Sequence, residues 1–299
     1  MITTFYHQPC DKYHREALIG NLLMRYPFLF RETIGESLCS RPIDLLTIGN
    51  RSHAVLFAAG FHGMEWITTL LMLRFLDDLC CTIRNGQELY GIHPAAMLNR
   101  RGLAVIPCVN PDGTEIQIHG AAAAEQYQSL VQNAANGNTS CWQANARGVD
   151  INHNFDADWD SLHQLEAENG ITAPSPTRYG GTCPESEPES RAIASLCRAG
   201  HFSHALAFHS QGEEIYYGYG KPTEINCKQA LALARVSGYR LSRPEGLASG
   251  GGFKDWFCQY LGKSGFTIEI GCGKNPLPVS DLDPIYDRLR EMLTLAFLL

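Results

Sequence analysis

The sequence predicts an α/β fold in which helices cover both faces of a β-sheet. Five short apolar runs have strand character: 42–49 (PIDLLTIG), 53–60 (HAVLFAAG), 102–109 (GLAVIPCV), 203–210 (SHALAFHS) and 265–271 (GFTIEIG). Between them lie segments whose apolar residues recur at helical spacing. Glycine or proline bounds several of the runs, as expected where strands stop. Alternation of the two element types is the pattern of a sheet sandwiched between helices. A chain of 299 residues with 44% hydrophobic content buries a large core. It shows no internal repeat or interdomain linker, so one domain over 1–299 is expected.

The elements follow in order. Tyr13, Leu18, Leu22 and Tyr26 recur at helical spacing, and Pro27 ends that helix because it has no backbone N–H to continue it. After the first two runs, 64–83 reads as a helix. Residues 113–146 and 156–186, rich in Gly, Asn, Ser and Pro, read as long functional loops or walls. A helix over 187–199 opens on Pro188 flanked by acids, which suits a helix N-terminus. Helices over 222–237 and 281–298 complete the pattern.

Composition excludes several classes of partner. With a formal charge of −7 and no basic stripe, the chain lacks what holds a nucleic-acid backbone. Its longest apolar stretches, ITTLLML and MLTLAFLL, fall far short of the roughly 20 residues that span a bilayer. The first residues lack the charged, apolar and cleavage regions of a secretory signal, so the expected compartment is the cytoplasm. Eleven cysteines, an odd number with no C-x-x-C pair, read as reduced thiols rather than a disulfide framework or thiolate zinc site. A small peptide-like ligand fits best, with no obligate protein partner evident.

Ligands of open α/β sheets bind outside the carboxyl ends of the strands, so polar residues just after apolar runs are the candidates. His62 and Glu65 follow VLFAAGF, Asn110 and Asp112 follow LAVIPCV, His209 follows ALAF, and Glu269 lies in FTIEIG. His62, Glu65 and His209 supply the two imidazoles and one carboxylate of a hydrolytic zinc site, which keeps a further position open. His201 and His204 sit at the start of their run, on the opposite edge, and are set aside. Glu269, between Ile268 and Ile270, is costly to bury unless paired or catalytic, so both an ion pair and a proton carrier are open readings.

Five motifs in register across nearly the whole chain give it a family resemblance: FHGMEWIT (61–68), VNPDG (109–113), RGVDINHNFD (147–156), FHSQGEEIYY (208–217) and SGGGFKDWF with FTIEIG (249–257, 266–271). It resembles the carboxypeptidase A-type zinc metallopeptidases. The resemblance implies a single three-layer α/β/α domain with a mixed, roughly eight-stranded sheet, and one Zn2+ per chain. It gives His62, Glu65 and His209 as the metal ligands, Glu269 as general base and acid, and Asp150 as the carboxylate that orients a ligating histidine. Where the family grips a terminal carboxylate with Asn-Arg, this chain has Asn152 and His153. The family's oxyanion arginine falls at Gln143 on a gapless count, with Arg147 four residues on as the substitute. Its mobile tyrosine falls at Leu247.

The stretches NARGVDINHNFDADW (145–159) and APSPTRYGGTCPESEPE (173–189) resemble most the bacterial peptidases that cleave the γ-D-glutamyl–meso-diaminopimelate bond of murein stem peptides. Diaminopimelate carries a second amino-acid head, which needs a cation for its carboxylate and an acceptor for its ammonium. Arg178 and Lys254 are the candidate cations and Glu245 the candidate acceptor. Two other readings fit the same residues: a zinc acylase acting on acyl amino acids, and a metal-free binding protein on a peptidase scaffold.

Overall fold

A computed structural model describes residues 6–299. In chain order the elements are α1 (Lys12–Arg25), β1 (Phe30–Glu36), β2 (Pro42–Gly49), β3 (Ala54–Ala59), α2 (Ile67–Arg84), α3 (Pro94–Met97), β4 (Gly102–Ile106), α4 (Pro111–His119), α5 (Gln128–Ala134) and α6 (Trp159–Glu168). There follow α7 (Pro188–Ala199), β5 (Phe202–Ser210), β6 (Glu214–Tyr217), α8 (Glu224–Ser237), β7 (Arg240–Ser242), α9 (Phe253–Leu261), β8 (Ser264–Ile270) and α10 (Leu282–Leu298). Local chemistry sets several boundaries. Asp11 and Thr223 cap α1 and α8 by accepting from His14 N and Asn226 N, and α8 stops at Gly238, whose φ of 68° is the left-handed region glycine occupies freely.

One eight-stranded sheet runs in the order β1-β2-β4-β3-β5-β8-β6-β7. It is mixed: β4, β3, β5 and β8 are parallel neighbours, while β1, β2 and β6 join antiparallel. Side-chain alternation divides the core, since successive strand residues face opposite ways. Val55, Phe57, Ala59, Leu103, Val105, Leu206 and Phe208 pack with α1, α2, α8 and α10. On the other face Ala54, Leu56, Ala58, Ala104, Ala205 and Ala207 meet α7 and α9. The small side chains there leave room for Phe253, Trp256 and Phe257 of α9. No helix of the described residues is long and apolar enough to cross a membrane.

The structure adds elements to the two segments expected to be loops. Within 113–146 lie most of α4 and all of α5, packed around Trp142, and α6 lies within 156–186. In α6 the buried positions are Trp159, Leu162 and Glu166, so a carboxylate occupies the third place of the inward face and breaks the apolar period. The additional strands β1, β6 and β7 are partly exposed or as short as three residues, which leaves no continuous apolar run.

Candidate active site

The carboxyl ends of β3, β5 and β8 meet at a cavity of about 500 Å³. His62 stands at the start of a 3-10 turn over Gly63–Glu65, immediately before α2. That turn is held from below by the VNPDG segment. The Asn110 side-chain amide donates to the carbonyls of Phe61 and Gln143 (both 3.0 Å), and its oxygen accepts from Gly113 N (2.8 Å). The contact requires glycine at 63, because a Cβ there would lie 2.2 Å from the Gly113 carbonyl oxygen. Asp112, by contrast, is fully buried away from the cavity. It accepts from Ser37 Oγ (2.7 Å) and Cys39 N (3.0 Å) and pairs with Arg41, tying the β1–β2 turn to α4.

Ligand atoms of His62, Glu65 and His209 lie within 4.8 Å of one another. His62 Nδ1 is 2.9 Å from Glu65 Oε1, and His209 Nδ1 is 3.2 Å from Glu65 Oε2 and 3.3 Å from His62 Nδ1. His62 donates from Nε2 to Asp150 Oδ1 (3.0 Å), so when the ring is neutral, as a metal ligand must be, Nδ1 carries the lone pair that faces the cluster. Phe61 stacks on the His209 ring at 5.1 Å and fixes its plane. A convergence of two imidazole nitrogens and a buried carboxylate fits a zinc ion, whose coordination takes these donors and leaves a position open.

The electrostatics are those of tightly paired buried charge. Burial opposes ionisation of Glu65, yet the positive field and hydrogen bonds of His62 and His209 hold its pKa at about 2. Burial opposes charge on Asp150 as well, but His62, His153 and the backbone N–H of Arg178 hold its carboxyl far below the usual range. Burial alone would depress the His62 pKa, and Glu65 and Asp150 raise it well above the ordinary value. His209 is pushed down, chiefly by burial. Glu269 is pushed well up by burial and by the Glu65 charge.

Glu269 is the register partner of His209 in the parallel β5–β8 ladder, so the two side chains share the sheet face covered by α9 and both line the cavity. The remaining expectations divide. Asp150, Asn152, His153, Arg178 and Lys254 all line the same cavity. Lys254 is buried, donates to the Gly218 carbonyl (2.7 Å) and pairs with Asp255. Arg178, in the left-handed region (φ 67°), donates its backbone N–H to Asp150 Oδ2 (2.9 Å), and its guanidinium has no partner among the described residues.

Arg147 is a correction. Its guanidinium is taken by Glu187 Oε2 (2.9 Å) and the Ser186 carbonyl, and it does not line the cavity, because the buried acid at the start of α7 claims it. Glu245 is exposed and also absent from the cavity wall. Gln143 lines the cavity but its side-chain oxygen accepts from Thr177, and Leu247 contributes an apolar surface. His204 faces the Ala296 carbonyl (2.8 Å) at the far end of β5. Glu166 and His163, which stand behind His153, had no sequence signal beyond an i, i+3 spacing.

Comparison with known proteins places this geometry among relatives. The zinc carboxypeptidase family (peptidase M14) matches residues 15–292. The chain is 39% identical over 272 residues to gamma-D-glutamyl-L-diamino acid endopeptidase 1 of Lysinibacillus sphaericus, covering 90% of this chain and 67% of that one. It is 34% identical over 286 residues to an uncharacterized protein, YqgT, of Bacillus subtilis (strain 168), covering 93% and 74%. The fold is shared with thrombin activatable fibrinolysis inhibitor (TM-score 0.76, 21% identity, 98% of this chain and 75% of that one). It is shared also with murein-tripeptide amidase MpaA from Escherichia coli O157 (TM-score 0.54, 22% identity, 89% and 91%).

Proposed function

The chain belongs to the zinc carboxypeptidase family, a zinc metallopeptidase, and from that premise we propose that it hydrolyses the γ-D-glutamyl–meso-diaminopimelate amide bond of murein stem peptides in a bacterial cytoplasm. The observation that carries the substrate assignment is the buried Lys254–Asp255 pair on the wall of the cavity that holds the metal triad. An ammonium has three N–H donors, and Lys254 commits two, to Gly218 and Asp255. The third is free for a carboxylate at the tip of a substrate side chain, and the Asp255 carboxylate stands beside it for an ammonium. That is the chemistry of a diamino acid with a second amino-acid head. The eleven cysteines, all unpaired, support a reducing compartment.

His62, Glu65 and His209 hold one zinc ion, which when bound supplies Lewis acidity toward a carbonyl oxygen and toward water. Asp150 holds His62 in the tautomer whose Nδ1 is a ligand. Glu269 takes the proton released as water adds to the amide carbon and returns it to the departing amine when the C–N bond breaks. Arg178, whose guanidinium is uncommitted, meets the charge that develops on the carbonyl oxygen, the part expected of Arg147. No acyl-enzyme forms, so no serine or cysteine is assigned.

The test is incubation of zinc-loaded protein with L-Ala-γ-D-Glu-meso-diaminopimelate, with amino-acid analysis of the products. Free diaminopimelate is expected, abolished by a chelator and restored by zinc. Products that lack free diaminopimelate, or no cleavage, overturn the substrate assignment.

A further inference from the structure

A second cavity, of about 350 Å³, adjoins the one that holds the metal triad. Its walls come from the end of β6 and the turn after it (217–222), from the segment that joins β7 to α9 (243–249), and from Asp158 at the start of α6. Pro244 and the buried Lys254 belong to the walls of both cavities. The two hydrogen-bond partners of the Lys254 ammonium stand on opposite sides of it. Asp255 lines only the first cavity, and Gly218, whose carbonyl accepts at 2.7 Å, lines only the second. The Tyr219 ring, also on the second wall, lies 5.8 Å from Nζ. Lys254 Nζ therefore stands at the partition between the two spaces.

The second space is built for negative charge. Among the described residues the only acid on its wall is Asp158, and both oxygens of that carboxylate are taken, by Tyr219 Oη (2.6 Å) and by Gln259 Nε2 (3.4 Å). Two cations line it, Lys254 and Arg243. Arg243 is exposed, and its guanidinium has no partner among the described residues. If Lys254 holds the tip carboxylate of the diamino acid and Asp255 the tip nitrogen, as proposed above, that nitrogen also sits at the partition. An ammonium there brings three N–H groups, of which Asp255 needs one. Acylation leaves one N–H for Asp255, and the acyl group has the second cavity to enter. We propose that this cavity receives a branch on the distal nitrogen, so that the substrates include stem peptides acylated there, as where two stems are joined, and that Arg243 is the specificity-determining residue for a carboxylate on that branch. The bond hydrolysed is the same, and only the departing diamino acid is larger.

This proposal rests on the diamino-acid reading, and its test separates the two. Zinc-loaded full-length protein is given L-Ala-γ-D-Glu-meso-diaminopimelate with its distal amine free, acetylated or succinylated, and kcat/KM is measured for release of diaminopimelate or its acyl derivative. The acetylated peptide is expected to keep at least about a tenth of the free peptide's value, because its amide N–H still reaches Asp255 but without charge. The succinylated peptide adds a carboxylate and is expected to exceed the acetylated one about three- to fivefold, the upper range for a solvent-exposed ion pair. That ratio should shrink as salt rises from about 0.05 to about 0.5 M, and Arg243→Met should bring it to about one. Steps common to the two peptides cancel in the ratio, and the wild-type ratio and its salt dependence require no variant to fold. An acetylated peptide below about a tenth of the free one, a wild-type succinyl-to-acetyl ratio below about two at low salt, or a ratio that Arg243→Met leaves unchanged overturns the proposal while leaving the substrate reading intact. If none of the three peptides is cleaved, the substrate reading falls and this proposal with it.

Discussion

Replacing Asp150 by Asn tests how far the metal site extends beyond its ligands. The buried carboxylate accepts from His62 Nε2 (3.0 Å), Asn152 N (3.1 Å) and Arg178 N (2.9 Å). Asparagine keeps one acceptor oxygen for the first two and turns an NH2 group toward the third. Hydrogen bonds to a charged group contribute about 1.5–3 kcal/mol and neutral ones about 0.5–1.5 kcal/mol. Only the weakening of the His62 bond, about 1–2 kcal/mol, is felt by the metal, so zinc affinity should fall on the order of tenfold. The loss at Arg178 N, of similar size, should appear as lower stability of the metal-free protein. Chelator competition gives the zinc dissociation constant, and denaturant unfolding without metal gives the second figure. If zinc affinity stays within about twofold while metal-free stability falls, Asp150 is a loop cap alone and the tautomer argument fails.

Three further outcomes are expected. Glu269→Gln should lower kcat by a factor on the order of 100 to 10,000 while zinc content, measured by atomic absorption, stays at the wild-type level; loss of metal would mean the residue is a ligand. Arg178→Met should lower kcat on the order of 100-fold, whereas Arg147→Met should change it less than about threefold and act on thermal stability through the stranded Glu187; the reverse order would restore Arg147 to the reaction. Glu189 is fully buried, and burial together with the Asp112 charge raises its pKa to about 8. A folded carboxyl raised above its unfolded value binds its proton more tightly in the native state, so its contribution is complete below the unfolded pKa and is lost as pH climbs through about 8. Glu189→Gln should therefore leave stability near pH 4 unchanged and raise it at pH 7 by on the order of 3 kcal/mol, read from denaturant midpoints across pH.

The central strands were legible because burial on both faces writes itself as uninterrupted apolar sequence, as in AVLFAA and GFTIEI. The edge strands were not, because FRETIGE and RLS are open to solvent on one side and carry no such run. The convergence of His62, Glu65 and His209 followed from placing polar residues at strand ends, a rule about topology that needs no coordinates. The surroundings of the triad depend on competition between side chains, which spacing does not reveal. Arg147 is held by Glu187, 40 residues further along the chain, a pairing that no local spacing announces. The same applies to His153, whose ring is held by Glu166 from a helix whose inward face is too polar to be recognised by periodicity.

The pairing of His209 with Glu269 across one rung of a parallel ladder separates two kinds of evolutionary freedom. Adjacent strands are held about 4.8 Å apart by backbone geometry, so the interval between the candidate metal ligand His209 and the proposed proton carrier Glu269 belongs to the scaffold. A single inserted residue in either strand would turn one partner to the opposite side. The surrounding wall, contributed by turns and short helices, is under no such constraint. Substitutions in that wall change what the cavity receives without moving His209 relative to Glu269.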